Sequence, residues 1–461
     1  MNPDKPIYMA YWGKAASEGE TPAKHLLTFH LLDVAAVGRV LLSRHPTLLT
    51  RLSGLMGVPA GDLEPWLIWL LAHHDIGKFA AAFQRLRPEL FADPVADRFR
   101  YDTRHDTLGY LLWEEKLLDE VFPNLAGQYE LEEAVTTLLR TSAGHHGRPP
   151  EIVEWKTTWF RDEDVQAARI LSRDLSRHFF GGDAPPALEF GPPGEFARRI
   201  AAASWPFAGF AVLCDWIGSN RLWFPFVDEP MPLEQYWERR AIPQAQRALV
   251  QAEIVPVLTA TDSGFHTLFP GIAAPTELQK AAEMVPLADG PQLFFVEDLT
   301  GSGKTEAALT LTGRLLSAGK GEGVYVALPT TATADAMYDR VGAVYRKMFE
   351  PGTRPSLVLA HSRRDLSERF RTSVGGDRIE PEAAYGDGEQ GAAATCAAWL
   401  ADNRKKALLA QVGVGTIDQA LLATLNVRHQ SLRAFGLLGK VLVVDEVHAC
   451  DAYMNRILEH L

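Results

Sequence analysis

The run Thr300-Gly301-Ser302-Gly303-Lys304-Thr305 is the feature that most limits what this chain can fold into. Two glycines followed by a lysine and a threonine let successive backbone N–H groups wrap a polyphosphate, and a following helix turns its positive end toward the anion. Such a loop needs a strand before it and a helix after it. Both are legible: Leu293-Phe294-Phe295-Val296 is a short apolar run, and Thr305 to Leu316 has helical spacing. In this arrangement Lys304 reaches the β- and γ-phosphates of ATP and Thr305 ligates magnesium, with Gly301, Ser302 and Gly303 forming the cradle. Asp298 stands where the full consensus has a further glycine.

A second acidic signal supports the first. Val441-Leu442-Val443-Val444 reads as a buried strand that ends in Asp445-Glu446-Val447-His448. It would deliver Asp445 to the magnesium shell and Glu446 to polarise the attacking water. From about residue 263 onward short apolar runs, including Val324 to Ala327 and Leu357 to Leu359, alternate with helical segments. That alternation predicts a parallel α/β sheet. Gly375 to Ala394 is polar and rich in Gly and Glu, and reads as a surface loop.

The first half has a different grammar. Ala23 to Val40, Trp66 to Leu86, Leu108 to Leu118, Leu131 to Thr141 and Phe196 to Ile217 carry apolar residues three and four apart, which predicts helices. Nine of the fourteen histidines precede residue 180, so this half carries its own chemistry. The focus is His73-His74-Asp75-Ile76-Gly77-Lys78, where an imidazole and a carboxylate adjoin and the carboxylate can bridge two cations. A His-Asp pair alone is common by chance. Its company is less so: His30 on an amphipathic helix, His105 in Arg104-His105-Asp106, the adjacent His145 and His146, and Asp215 at the end of an apolar helix. His25, His45, His73 and His178 read as ordinary core or surface residues.

This order of ligand types resembles the two-metal form of the HD phosphohydrolase superfamily. The resemblance implies that His30, His74, Asp75 and Asp215 hold one metal, and that Asp75, His105, His145 and His146 hold the other. Two divalent cations about 4 Å apart would activate a water and stabilise both the attacking and the leaving oxygen of a phosphodiester. Imidazole-rich ligation favours manganese, iron, cobalt or nickel over magnesium. Lys78, one turn after Asp75, would offer its ammonium to the scissile phosphate.

The HD site followed by the P-loop and the Asp-Glu-x-His run resembles the signature helicase-nuclease of type I CRISPR systems. Trp12-Gly13-Lys14, His30 to Val37, Asp215-Trp216-Ile217-Gly218-Ser219-Asn220 and Asp445 to Met454 strengthen the likeness. It implies a multidomain chain: an all-α HD-type domain (1–235), a helical connector (236–262) and an α/β RecA-like P-loop domain (263–461), the first lobe of a superfamily 2 helicase, incomplete after Asp445-Glu446-Val447-His448. Gln279 would hydrogen-bond the adenine edge, although it reads equally as a solvated helix glutamine. Thr330, Thr416, Ser219 and Asn220 are candidate DNA contacts, the two threonines reading equally as ordinary strand-to-helix turns. The implied activity is metal-dependent cutting of single-stranded DNA coupled to an ATP-driven helicase, recruited by a Cascade-type CRISPR RNA surveillance complex. Without a second lobe, ATP turnover would stay near background.

Composition constrains the alternatives. A net charge of −12 argues against a broad nucleic-acid-coating face, while leaving room for a local groove. Cys214, Cys396 and Cys450 form neither a CxxC pair nor a disulfide framework, and no basic leader or long uninterrupted apolar run is present. The expected setting is cytoplasmic, with no membrane. An HD-type nucleotide phosphohydrolase with an accessory P-loop domain is the competing enzyme class, and a non-catalytic ATP-binding adaptor is a third reading. The DExH run argues against the former, and the complete set of ligand positions against the latter.

Overall fold

In a computed structural model, residues 5–17, 19–91, 97–188, 191–360 and 408–461 are described. The Gly375–Ala394 loop and Cys396 lie outside these residues. The chain divides into two compact units. One contains the residues up to Ala252 together with Arg428–Phe435, and the other contains the described residues from Glu253 onward, apart from that returning segment.

The first unit is helical apart from a small antiparallel ribbon of β1 (Trp12–Ala15) and β2 (Lys24–Leu26). Its helices are α1 (Leu27–Arg44), α2 (Pro46–Met56), α3 (Ala60–Leu71), α4 (Ala81–Gln84), α5 (His105–Leu112), α6 (Leu118–Val121), α7 (Tyr129–Ala143) and α8 (Asp162–Phe180). After these come α9 (Pro193–Gly218), α10 (Leu233–Tyr236) and α11 (Ile242–Gln251). Helix α1 is apolar on nearly every side because α3, α9 and α11 all pack on it, so its polar residues His30 and Asp33 are buried with it. Helix α9 is long and apolar enough to cross a membrane, yet its last turns are buried within this unit and carry Asp215.

Two predicted helices are interrupted. The segment Trp66 to Leu86 is not one helix: α3 stops at Leu71, turns through His73–Asp75 and continues as a 3₁₀ turn, Ile76–Phe79, before α4. Apolar spacing persists across the break because both pieces face the same core, and so it hides the turn. Ala23 to Val40 begins as strand β2 rather than helix, since Lys24 pairs with Ala15.

The second unit contains α12 (Phe265–Leu268), α13 (Glu277–Met284), α14 (Lys304–Ser317) and α15 (Thr331–Gly342), followed by α16 (Ile417–Leu421) and α18 (Ala452–Leu458). Helix α17 (Gln430–Leu437) begins in the returning segment. The sheet consists of β3 (Gly323–Leu328), β4 (Leu357–Ala360), β5 (Val412–Thr416) and β6 (Lys440–Val444), all parallel in the order β4-β5-β3-β6. The central strands β3 and β5 are wholly buried, which explains their unbroken apolar or small-residue runs. The strand expected at Leu293–Val296 does not form: among the described residues no strand pairs with it, and Leu293 and Phe295 are exposed. A run rich in β-formers becomes a strand only where a partner completes its backbone hydrogen bonds.

Candidate metal centre and nucleotide loop

Three helices and two turns bring the seven predicted ligands together. Helix α1 supplies His30, the turn after α3 supplies His74 and Asp75, α5 opens with His105, the turn after α7 carries His145 and His146, and α9 ends near Asp215. The donor atoms form three overlapping groups: Asp75, His105, His145 and His146; His30, His74 and Asp75; and His74, His145 and Asp215, with the atoms of each group within 4.8 Å of one another.

Asp75 sits at the middle, and its two oxygens face different partners. Oδ2 lies 2.9 Å from His30 Nε2, 3.4 Å from His74 Nε2 and 2.7 Å from Lys78 Nζ. Oδ1 lies 2.9 Å from His105 Nε2 and 3.3 Å from His145 Nε2. Asp215 Oδ1 is 3.6 Å from His74 Nε2 and receives a 2.8 Å hydrogen bond from Ser219 Oγ. His146 Nε2 approaches His105 Nε2 at 2.8 Å.

The imidazoles are aimed by their own turns. His74 Nδ1 is 2.8 Å from the Leu71 carbonyl, and His145 Nδ1 is 3.3 Å from that of Ser142, so each Nε2 presents its lone pair to the pocket. His74 Nε2 and Asp75 Oδ1 are buried without a hydrogen-bond partner. Orphaned acceptors of this kind, in a pocket lined by imidazoles and carboxylates, fit divalent cations.

Electrostatics prepare the same state. Burial would raise the Asp75 carboxyl, but Lys78, His105, His74 and His145 outweigh it and hold Asp75 well below the usual carboxylate range. Asp215 is depressed likewise against its burial, by His74, His145 and Lys14. Burial, with Lys14 adding to it, pushes His30 well below its ordinary value, and burial does the same to His146. The pocket therefore presents anionic carboxylates beside His30 and His146 held neutral.

In the second unit Gly301 and Gly303 adopt φ of +85° and +86°, which side-chain-bearing residues rarely tolerate. A Cβ at Gly303 would also lie 2.0 Å from Gln279 Nε2, so the end of that side chain would have to move aside. Lys304 Nζ donates to the carbonyls of Asp298 at 2.8 Å and Leu299 at 2.9 Å, folded back into its own loop. Gln279 is buried against this loop, and its Oε1 accepts from Thr276 N–H at 2.9 Å in a capping box for α13. At the end of β6, Asp445 N–H donates to Ala327 at 3.0 Å, Glu446 has φ +55°, and His448 Nε2 lies 3.1 Å from Glu446 Oε2.

The family model described as "Cas3, HD domain" matches residues 12–224. This segment is thus similar to the HD domain of Cas3. The Cas3 likeness continues beyond it: the chain is 31% identical to the CRISPR-associated endonuclease/helicase Cas3 of Escherichia coli, over 97% of this chain and 52% of that protein. It is 33% identical to the Thermus thermophilus protein of the same description, over 98% and 48%. A crystal structure of T. fusca Cas3-AMPPNP superposes with a TM-score of 0.75 at 26% identity, covering 98% of this chain and 48% of that one. The chain thus spans about half the length of the curated Cas3 relatives it matches.

The other predicted site residues take varied places. Lys78 is buried on Asp75 and donates to the Gly13 carbonyl at 3.2 Å. Ser219 holds Asp215, and Asn220 is buried with its Oδ1 accepting from Leu222 N–H at 2.9 Å. In the other unit Thr330 caps α15, and Thr416 is buried where β5 meets α16. The four histidines set aside take structural roles: His25 pairs with Asp33, His45 caps α2, His73 bonds to the Trp69 carbonyl, and His178 packs on Trp237. Sequence reasoning gave no role to Lys14, although the Trp12-Gly13-Lys14 motif was visible and its charge acts on His30 and Asp215. It also missed Gln84, whose side chain ties Trp12 to the Lys78 carbonyl. A lone glutamine in an apolar segment has no spacing to mark it.

Proposed function

We propose that this chain is a metal-dependent nuclease of single-stranded DNA joined to the RecA-like first lobe of a superfamily 2 helicase, acting in type I CRISPR interference with a Cascade-type surveillance complex. The observation that carries this reading is the division of Asp75, with Oδ2 toward His30 and His74 and Oδ1 toward His105 and His145. A carboxylate placed in this way would be shared between two cations. His30, His74, Asp75 and Asp215 would hold one, and Asp75, His105, His145 and His146 the other, both being manganese, iron, cobalt or nickel. Such a pair supplies a water nucleophile at neutral pH and charge stabilisation at the phosphodiester.

The rest is the work of the protein. Lys78 keeps Asp75 ionised, the Leu71 and Ser142 carbonyls fix His74 and His145 as Nδ1–H tautomers, and Ser219 orients the Asp215 carboxylate. In the other unit Gly301 to Thr305 would bind ATP with magnesium, Lys304 swinging from the Asp298 and Leu299 carbonyls onto the phosphates, and Glu446 would polarise the attacking water. The description of the E. coli and T. thermophilus relatives as endonuclease/helicases supports both halves of this reading.

The test is incubation of the purified chain with circular single-stranded DNA and manganese or cobalt, without ATP. Wild type degrades the DNA and Asp75→Ala does not. An inactive wild type, or an active Asp75→Ala, removes the nuclease assignment. Release of inorganic phosphate or nucleoside from dNTPs, with DNA left intact, would transfer the site to nucleotide phosphohydrolysis.

A further inference from the structure

We infer that Arg428 and His429, about 280 residues along the chain from the paired histidines, are positioning residues for the HD metal site: they hold the turn that carries His145 and His146 against the end of α9 that carries Asp215. The inference rests on the metal-site reading above.

The returning segment Arg428–Phe435 belongs to the first compact unit. Its first two residues engage two consecutive carbonyls of the ligand turn. His429 N–H donates to Gly147 O at 3.1 Å, and Arg428 Nε reaches His146 O at 3.4 Å. The fit leaves no slack: Gly147 has φ +81°, and a Cβ there would lie 2.3 Å from His429 Nδ1 and 2.8 Å from His429 N. His429 is buried, with φ +62°, a conformation costly for a ring-bearing residue and held here by its surroundings.

The same segment is fastened to α9. The His429 ring stands edge-on to Trp216, with centroids 4.7 Å apart at 67°, and Trp216 is the neighbour of Asp215. Two turns earlier α9 is bare at Gly209, where a Cβ would come within 2.4 Å of both Phe435 Cβ and Ser431 O. The segment therefore spans two ligand-bearing elements that are not consecutive in the chain.

His146 is the ligand with most need of such support. His74 and His145 each have Nδ1 fixed by a carbonyl of their own turn. Among the described residues no carbonyl does this for His146, whose ring meets His105. Its direction is then inherited from the backbone at residues 146 and 147, the two positions held by Arg428 and His429. Ligands left unsupported lose metal affinity, typically by about 10- to 100-fold.

The experiment titrates manganese into the full chain, comparing wild type with Arg428→Ala/His429→Gly. Glycine keeps the positive φ and the N–H at 429, so the backbone path survives while the ring and the guanidinium are lost. The double variant is expected to bind the first cation as wild type does and the second about 10- to 100-fold more weakly. At equal loading, its electron paramagnetic resonance spectrum changes from that of a coupled manganese pair to that of an isolated ion. Arg428→Lys, which keeps a donor, lies nearer wild type. Two cations bound with wild-type affinity and a coupled spectrum in the double variant overturn the positioning role alone. Equal weakening of both cations overturns it as well, since that reports general loosening of the fold. A wild type that binds no cation overturns the HD reading itself, and this inference with it.

Discussion

His73 and His74 are neighbours in sequence with opposite environments. The backbone turn after α3 sends His73 back onto Trp69, with its Nδ1 2.7 Å from the Trp69 carbonyl and its ring 4.0 Å from the indole, and burial depresses its pKa to about 3. His74 faces Asp75 and Asp215 instead. His73→Leu is expected to lose about 1–2 kcal/mol of stability, the value of a buried hydrogen bond and its unpaired acceptor, with metal content unchanged. His74→Ala should lose bound cation by elemental analysis, and equal metal contents in the two variants would contradict the assignment. His74 also sets a pH dependence. Burial acts to lower its pKa, but Asp75 and Asp215 more than compensate, and the net shift is upward. In the metal-free chain that raised value stabilises the fold, fully below the unfolded value of about 6.5 and no longer once pH has risen through the folded one. A cation must displace the same proton, so affinity should rise with pH until His74 is deprotonated. Calorimetric titration of manganese near pH 6.5, in buffers of different ionisation enthalpy, should show proton release; an apparent enthalpy that does not depend on buffer would count against it.

At the scale of elements, the close approach of the His74-Asp75 turn to α5 decides whether His105 reaches Asp75. A Cβ on Gly77 would lie 2.0 Å from the His105 carbonyl and 2.4 Å from Gly109 N, both backbone atoms that cannot rotate away. Gly77→Ala should therefore push α5 off the turn, costing about 3 kcal/mol in urea denaturation and weakening binding of the cation proposed for His105, His145 and His146. Unchanged stability and metal content would show that the turn can yield. The motif His74-Asp75-Ile76-Gly77-Lys78 was legible in the sequence, and so was the company of His30, His105, His145, His146 and Asp215 that the fold gathers around Asp75, because histidine is scarce enough for its company to carry information. The break in the predicted Trp66–Leu86 helix was not, since its apolar spacing reports burial and not hydrogen bonding. Leu293–Val296 failed for the complementary reason: strand propensity names residues that suit a sheet without saying whether a partner edge exists. The return of Arg428–Phe435 to the first unit left no local mark at all, because the contacts of His429 with Gly147 and Trp216 are visible only in three dimensions.

At the scale of the whole molecule, the proposed function gives the two units separate ligand chemistries, and binding linkage turns this into a measurable pattern. A ligand stabilises the part that holds it by RT ln(1 + [L]/Kd), about 2.7 kcal/mol at a hundredfold excess over Kd. Among the described residues every group of potential metal donors lies in the first unit. Manganese should then slow amide exchange in α1, α5, α7 and α9 and leave β3 and β5 unchanged, because opening those helices would release the cations whereas opening the sheet would not. The returning segment discriminates between organisations by sequence and by packing. Grouped by sequence it would follow β5 and β6; grouped by its bonds to His146 and Gly147 it should gain protection with α9. ATP with magnesium should do the converse, protecting Gly301 to Thr305 and the start of α14, and Lys304→Ala should abolish that response while leaving the manganese response intact. Exchange mass spectrometry on one preparation with each ligand in turn resolves the cases. Should manganese protect β3 and β5 while residues 428–435 stay unprotected, neither the division of the chain nor the positioning of His146 by its distant partner could stand.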